Sequence, residues 1–272
     1  MLMTRRPVQI ILVLCCVLIS AACGAKSQLN VPLIFAAASL SNVLVESAEV
    51  YERETGNRIE FSFGGSIALA NQIAKLGAPA DGVFVVGREA IERIADADLV
   101  GSNGHTAMLF NQLAVIGSSD AEMLDDLPSL LGTEGRIAIG NPDLAPVGSF
   151  SRQALESAGI WDEITDRLIL TSDVRAASTA VTTGNAKFAV VYTSDVASIN
   201  NSSFNKLLTI ENGYDSINYY FVPIKDADNS ESAADFFTFL AGSAETKRIF
   251  NEAGFRWNVH AGLPSGPLSP ER

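Results

Sequence analysis

LIFAAASLSNVLVES (Leu33–Ser47) runs an apolar strand into three alanines and then, with no turn of ordinary length, into a serine and an amphipathic helix. A strand is expected over Val31–Ala36. Leu40, Val43, Leu44, Ala48 and Tyr51 then fall on one helical face, and Gly56 supplies the stop. A helix start leaves several backbone N–H groups unpaired and carries roughly half a positive charge, so a strand ending there on small residues lets an anion approach the backbone. Ser39 has two readings at this stage: a donor to such an anion, or an N-cap that accepts a hydrogen bond from its own helix.

The same alternation continues outward. RIEFSF (Arg58–Phe63) alternates as a strand, SIALANQIAKLG follows as a helix ending at Gly77, GVFVV (Gly82–Val86) is a buried strand and REAIERIADA a helix. This βαβ order implies an α/β fold with a parallel sheet covered on both faces. A second set starts near NQLAVIG (Asn111–Gly117). It runs through the strand RIAIG (Arg136–Gly140), helices at Ser149–Ala158 and around Val174–Thr183, and the buried strand FAVVY (Phe188–Tyr192). YYFVPI (Tyr219–Ile224) and one long helical stretch, Ser232–Ala253, end the ordered chain, and the Pro-, Gly- and Ser-rich tail 258–272 is expected to be mobile.

Four other strand ends share the construction at Ser39. In FSFGGSIALANQI, Gly64 and Gly65 permit close backbone approach and Ser66 opens a helix; a tight turn with a capping serine is the plainer reading. A nucleophile elbow would need glycine where Ala68 stands. An exported serine hydrolase would have to pair Ser39 or Ser66 with His105 or His260, the only two histidines, and neither has a triad context. NPDLAPVGSF enters a helix with the amides of Val147 and Gly148. TSDVRAAS has Asp173 as a cap and Val174 as an exposed amide. Tyr192 ends its strand with a hydroxyl that either reaches beyond the strand or is satisfied in the core. Arg175 is read as a solvent-facing residue of a first helical turn rather than as a pocket cation. No Cys/His spacing or EF-hand pattern suggests a metal site, and no cofactor or catalytic residue is expected.

The chain has 272 residues, 47% hydrophobic and 18% charged, enough apolar mass for a full core. Its net charge of −12 and the lack of a basic stripe argue against nucleic-acid binding. Residues 1–22 have the form of an export signal, with Arg5 and Arg6 before an apolar run from Val8 to Ala22 that is short for a membrane span. ISAACGA resembles a lipoprotein processing site, with Ser20 where leucine is usual. Cys23 is therefore expected to be lipidated and to anchor the protein in the periplasm or at the cell surface, ordinary cleavage being the alternative. Residues 23–30 then form a linker, and loss of Cys15 and Cys16 with the signal leaves no disulfide.

Taken in order, FAAASL (Phe35–Leu40), FGGSIALANQIAKLGAPAD (Phe63–Asp81), NPDLAPVG (Asn141–Gly148), DVRAA (Asp173–Ala177) and VVYTSD (Val190–Asp195) resemble the periplasmic molybdate-binding proteins, the substrate-binding subunits of molybdate ABC transporters. The resemblance spans Val31 to Phe255. It implies a type II periplasmic binding fold, two α/β lobes joined by two crossing strands with the ligand in the cleft. Lobe 1 would comprise 31–110 plus 222–257, and lobe 2 would comprise 111–221. It further implies a monomer that binds molybdate or tungstate and passes it to a membrane permease. Carried over by motif, Ser39 and Ser66 would donate from the first lobe, and the amides of Val147 and Val174 and the Tyr192 hydroxyl from the second. Val147 stands where the family usually has alanine. A receptor for another tetrahedral oxyanion such as sulfate is the nearest alternative.

Overall fold

The computed structural model describes residues 31–100, 106–198 and 204–258. The expected signal 1–22, the linker 23–30 with Cys23, both histidines (His105 and His260) and the tail beyond Asn258 lie outside the described residues.

Two sheets organise the chain from Pro32 onward. The first lobe begins with β1 (Leu33–Ala37), a short 3-10 turn (Ala38–Leu40) and α1 (Ser41–Thr55). It continues with β2 (Glu60–Gly64), α2 (Ser66–Leu76), β3 (Gly82–Val86), α3 (Arg88–Asp96) and β4 (Thr106–Asn111). The second lobe holds β5 (Leu113–Ser118), β6 (Ile137–Gly140), α4 (Pro146–Ser157), α5 (Trp161–Ile164), β7 (Leu168–Thr171), α6 (Val174–Thr182), β8 (Phe188–Tyr192), α7 (Thr193–Ser198) and β9 (Phe204–Ile210). The chain then returns with β10 (Ile217–Pro223), α8 (Ser230–Gly242), α9 (Ala244–Glu252) and β11 (Arg256–Trp257) to complete the first sheet.

The strand orders are β11-β4-β10-β3-β1-β2 and β7-β6-β8-β5-β9. In the first sheet β1 is parallel to β2 and β3; in the second, β6 is parallel to β7 and β8. Both lobes thus carry the same switch, a strand whose successors pair on opposite sides of it. Crevices outside the carboxyl ends of such strands are where open α/β sheets bind ligands. The remaining strands are antiparallel, since β10 pairs against β3 and β4, and β5 against β8 and β9. The sheets are therefore mixed rather than parallel throughout. The βαβ pattern describes only the first three strands of the first lobe and the β6–β8 portion of the second.

Other expected boundaries move for identifiable reasons. β10 registers over its whole length, from Ile217 opposite Asn111 to Pro223 opposite Gly82, so it belongs to the first sheet. The return crossing is the polar stretch 211–216 instead of the 221/222 boundary. The outward crossing is a single residue, Gln112, between β4 and β5. α4 starts at Pro146, three residues earlier than the apolar periodicity indicates, because proline at the first helical position sacrifices no intrahelical bond. The expected long helix breaks at Ser243, whose extended backbone and side chain, accepting from Thr246 N, start α9 afresh.

Core placement follows from periodicity. All five residues of β3 are buried, as expected of a strand flanked on both edges and both faces. In α1, Val43, Leu44, Val50 and Tyr51 face inward, and Tyr51 meets Phe236 of α8 edge to face at 5.2 Å between ring centroids. Leu44 is fully buried. Leu44→Ala should lower unfolding free energy by about 2–5 kcal/mol in a urea titration; a loss below about 1 kcal/mol would contradict this packing.

Candidate functional site

The carboxyl ends of β1, β2, β6, β7 and β8 converge on one small cavity between the lobes, with room for about one water-sized sphere, lined by Ser39, Ser66, Val147, Val174 and Tyr192 together with Asp173 and the small residues Ala37, Ala38, Gly64 and Gly65. All five residues singled out in the sequence therefore meet, although they come from five strand ends spread over more than half of the chain.

Each arrives by a local device. Ser39 lies inside the 3-10 turn rather than at a helix cap, and no side-chain cap bond forms there. Its Oγ instead lies 3.0 Å from the Tyr219 hydroxyl. Asn111 Nδ2 donates to that same hydroxyl at 3.2 Å. The Asn111 amide orientation is set by its Oδ1, which accepts from Gln112 N at 2.9 Å and from Thr193 Oγ1 at 2.9 Å. Tyr219 is fully buried, and burial first, then the nearby Asp195 carboxylate, pushes its hydroxyl far above the usual phenol range, so it keeps its proton. A buried O–H needs an acceptor, and Ser39 Oγ is the one within reach. With its lone pair used in this way, Ser39 has its own proton to donate to the cavity.

Ser66 is arranged likewise. Its Oγ accepts Val86 N–H at 3.0 Å, which leaves the serine proton available, while its amide opens α2. Val147 N is in the first turn of α4, and Val174 N starts α6 behind Asp173, whose Oδ1 accepts from Ala176 N at 2.9 Å. Neither first-turn amide has an acceptor within its own helix. Gly148 N, by contrast, is used on Ala145 O at 2.9 Å. The extra methyls of Val147 pack over Gly140, since a Cβ added to Gly140 would lie 2.5 Å from Val147 Cγ1. Tyr192 is 1% exposed, and its hydroxyl is among the few buried side-chain atoms of the described residues with no hydrogen-bond partner. Burial first, then Tyr219 and Asp195, holds its pKa well above the ordinary phenol value, so it too remains a donor.

These five groups are uncharged O–H and N–H donors, and the Asp173 carboxylate that also lines the cavity is taken up by Ala176 N on Oδ1 and Ser172 Oγ on Oδ2. Such donors suit a fully deprotonated, multiply charged small anion; a ligand O–H would find no acceptor among them. Ser39 Oγ is bonded to the Tyr219 hydroxyl and Ser66 Oγ to the Val86 amide, and the two histidines that a serine hydrolase would need lie outside the described residues. No cluster that would hold a metal ion occurs among the described residues.

The lobes touch directly around the cavity. Ala68 N donates to Leu144 O at 3.0 Å across the cleft. At Gly65, a Cβ would fall 2.5 Å from Leu144 O and 2.7 Å from Ser172 O, so only a bare Cα permits the approach. The sequence set Arg175 aside as solvent-facing and gave Asp195 no role of its own, whereas the Arg175 side chain is only 22% exposed and the two residues face each other. Asp195, 1% exposed, accepts Tyr192 N–H at 3.2 Å through Oδ2, and its Oδ1 lies 3.3 Å from Arg175 Nε. Their separation of twenty positions on different elements gave no local pattern by which to pair them.

The family model for bacterial extracellular solute-binding proteins matches residues 32–256. The chain is 29% identical over 230 residues to "Molybdate-binding protein ModA" of Escherichia coli, covering 82% of this chain and 87% of the relative. It is 27% identical over 226 residues to "Putative ABC transporter substrate-binding lipoprotein YvgL" of Bacillus subtilis, covering 82% and 85%. The solved periplasmic molybdate-binding protein of Azotobacter vinelandii shares the fold at a TM-score of 0.73 with 23% identity, over 83% of this chain and 98% of that one.

Burial pushes the Asp195 carboxyl up from 3.8 to about 7, against the opposing pull of Arg175 and the Tyr192 amide and with a further push from Asp173. The charged or titratable groups facing it are thus Arg175 and Asp173 at the start of α6, Tyr192 of β8 and Tyr219 of β10. The folded chain holds this proton where the unfolded chain has released it. Asp195 therefore contributes stability below about pH 4 that is lost as pH rises to about 7. Urea titrations across that window should show a downward slope in the wild type that Asp195→Asn removes; an unchanged slope would contradict the assignment.

Proposed function

The chain belongs to the bacterial extracellular solute-binding protein family, and we propose that it captures molybdate, and tungstate with it, in the cleft between its lobes and delivers the anion to an ABC transporter permease. The observation that carries the reading is the buried, unpartnered Tyr192 hydroxyl directed into a cavity already walled by helix-start amides and two serine protons. The names of the relatives in Escherichia coli and Azotobacter vinelandii support the same ligand.

Ser39, Ser66, Val147, Val174 and Tyr192 are the proposed ligand shell, with Tyr192, Val147 and Val174 donating from the second lobe. Hydrogen bonds to charged groups contribute roughly 1.5–3 kcal/mol each. A handful reaches the about 8 kcal/mol of micromolar binding after the costs of association are met. The net charge of −12 does not oppose this, because distant surface charges are screened beyond ~8 Å while amide dipoles act at contact. The protein works outside the cytoplasm, and Cys23 is the proposed point of lipid attachment, in keeping with the lipoprotein name of the Bacillus subtilis relative.

Calorimetry on the signal-free protein should give micromolar or tighter binding of molybdate and tungstate, with sulfate and phosphate failing to compete; no heat from a folded sample would refute the ligand. Ser39→Ala, Ser66→Ala and Tyr192→Phe should each weaken molybdate binding roughly tenfold or more, and wild-type affinity in all three would reject the shell. Gly65→Ala should keep the fold, as judged by circular dichroism, yet lose affinity because the lobes cannot meet.

A further inference from the structure

Arg175 stands in the first turn of α6, one residue beyond Val174, with its side chain 22% exposed. It does not line the cavity. Instead Nε lies 3.3 Å from Ala38 O and Nη2 3.3 Å from Ser39 O, both carbonyls of the 3-10 turn in the opposite lobe. On its own lobe the same Nε lies 3.3 Å from Asp195 Oδ1, the buried carboxylate oxygen that receives no hydrogen bond. One guanidinium therefore bridges an anchored carboxylate of the second lobe and two backbone acceptors of the first.

We propose that Arg175 is a positioning residue that latches the cleft closed and sharpens the Ser39 amide as a donor without itself touching the anion. The inference rests on the ligand reading above. Separating the lobes must break both carbonyl bonds together with the Ala68–Leu144 bond, so the latch acts on departure of the ligand more than on its arrival. Ala38 C=O and Ser39 N–H belong to one peptide unit. A cation on that carbonyl polarises the amide in the direction that strengthens its N–H. Asp195 holds the guanidinium from behind, and its partial neutralisation keeps a full positive charge from being buried alone. The arrangement draws on a cation's field while the donors in the cavity wall stay uncharged.

The test uses the signal-free protein, Arg175→Ala and, because the single change strands the Asp195 carboxylate, the double variant Arg175→Ala/Asp195→Asn. Stopped-flow measurements with molybdate should show association within about twofold of wild type and dissociation roughly tenfold to a hundredfold faster in both variants. Small-angle scattering without anion should show a larger radius of gyration for the double variant. If the wild type binds molybdate and the double variant releases it at the wild-type rate, the latch is overturned and the ligand reading stands. If the wild type gives no molybdate signal, the ligand reading falls and scattering decides the latch alone; equal radii of gyration overturn it.

Discussion

The organising constraint is that a buried donor left without an acceptor is costly, and the seam between the two lobes collects such donors. Two serine protons, helix-start amides and the Tyr192 hydroxyl converge where water has little room. Around them the polar groups are paired: Tyr219 to Ser39, Asn111 to Tyr219 and Ser194, and Ser66 to the Val86 amide. These pairings determine which protons remain free, and that remainder sets the chemistry of the cavity.

Topology explains why the donors face one another. β1 and β6 hold equivalent places in their sheets, each with its next two strands on opposite sides, so each lobe presents a crevice at strand carboxyl ends. The outward crossing at Gln112 directly follows Asn111. The Asn111 amide is bonded to Tyr219 in the first sheet and to Thr193 and Ser194 in the second lobe. The crossing and the cavity wall therefore share one buried hydrogen-bond network, and a change in lobe angle must rearrange groups that orient Ser39.

Charge is handled by placement. Arg175 beside the cavity is turned toward backbone carbonyls and a buried carboxylate, where its burial is compensated, while no cationic side chain among the described residues lines the wall. Neutral dipoles discriminate by protonation state and by fit, whereas a cation in the wall would attract many anions alike. The same logic accommodates a strongly acidic chain around an anion site.

Much of this was legible along the chain because it is local. Strand ends on small residues followed by helix starts at Ser39, Ser66, Val147 and Val174 are written in contiguous letters, as is the strand-terminal Tyr192. Their shared meaning came through resemblance in order along the sequence. Three-dimensional packing decided what local pattern cannot express. Ser39 became a partner of Tyr219, 180 positions away, instead of a cap; β10 joined the first sheet along its full length; and Arg175 turned from solvent to span the cleft. Helix and strand periodicity reports which face is buried but not against what, whereas hydrogen-bond partners and lobe contacts depend on where distant segments are brought together.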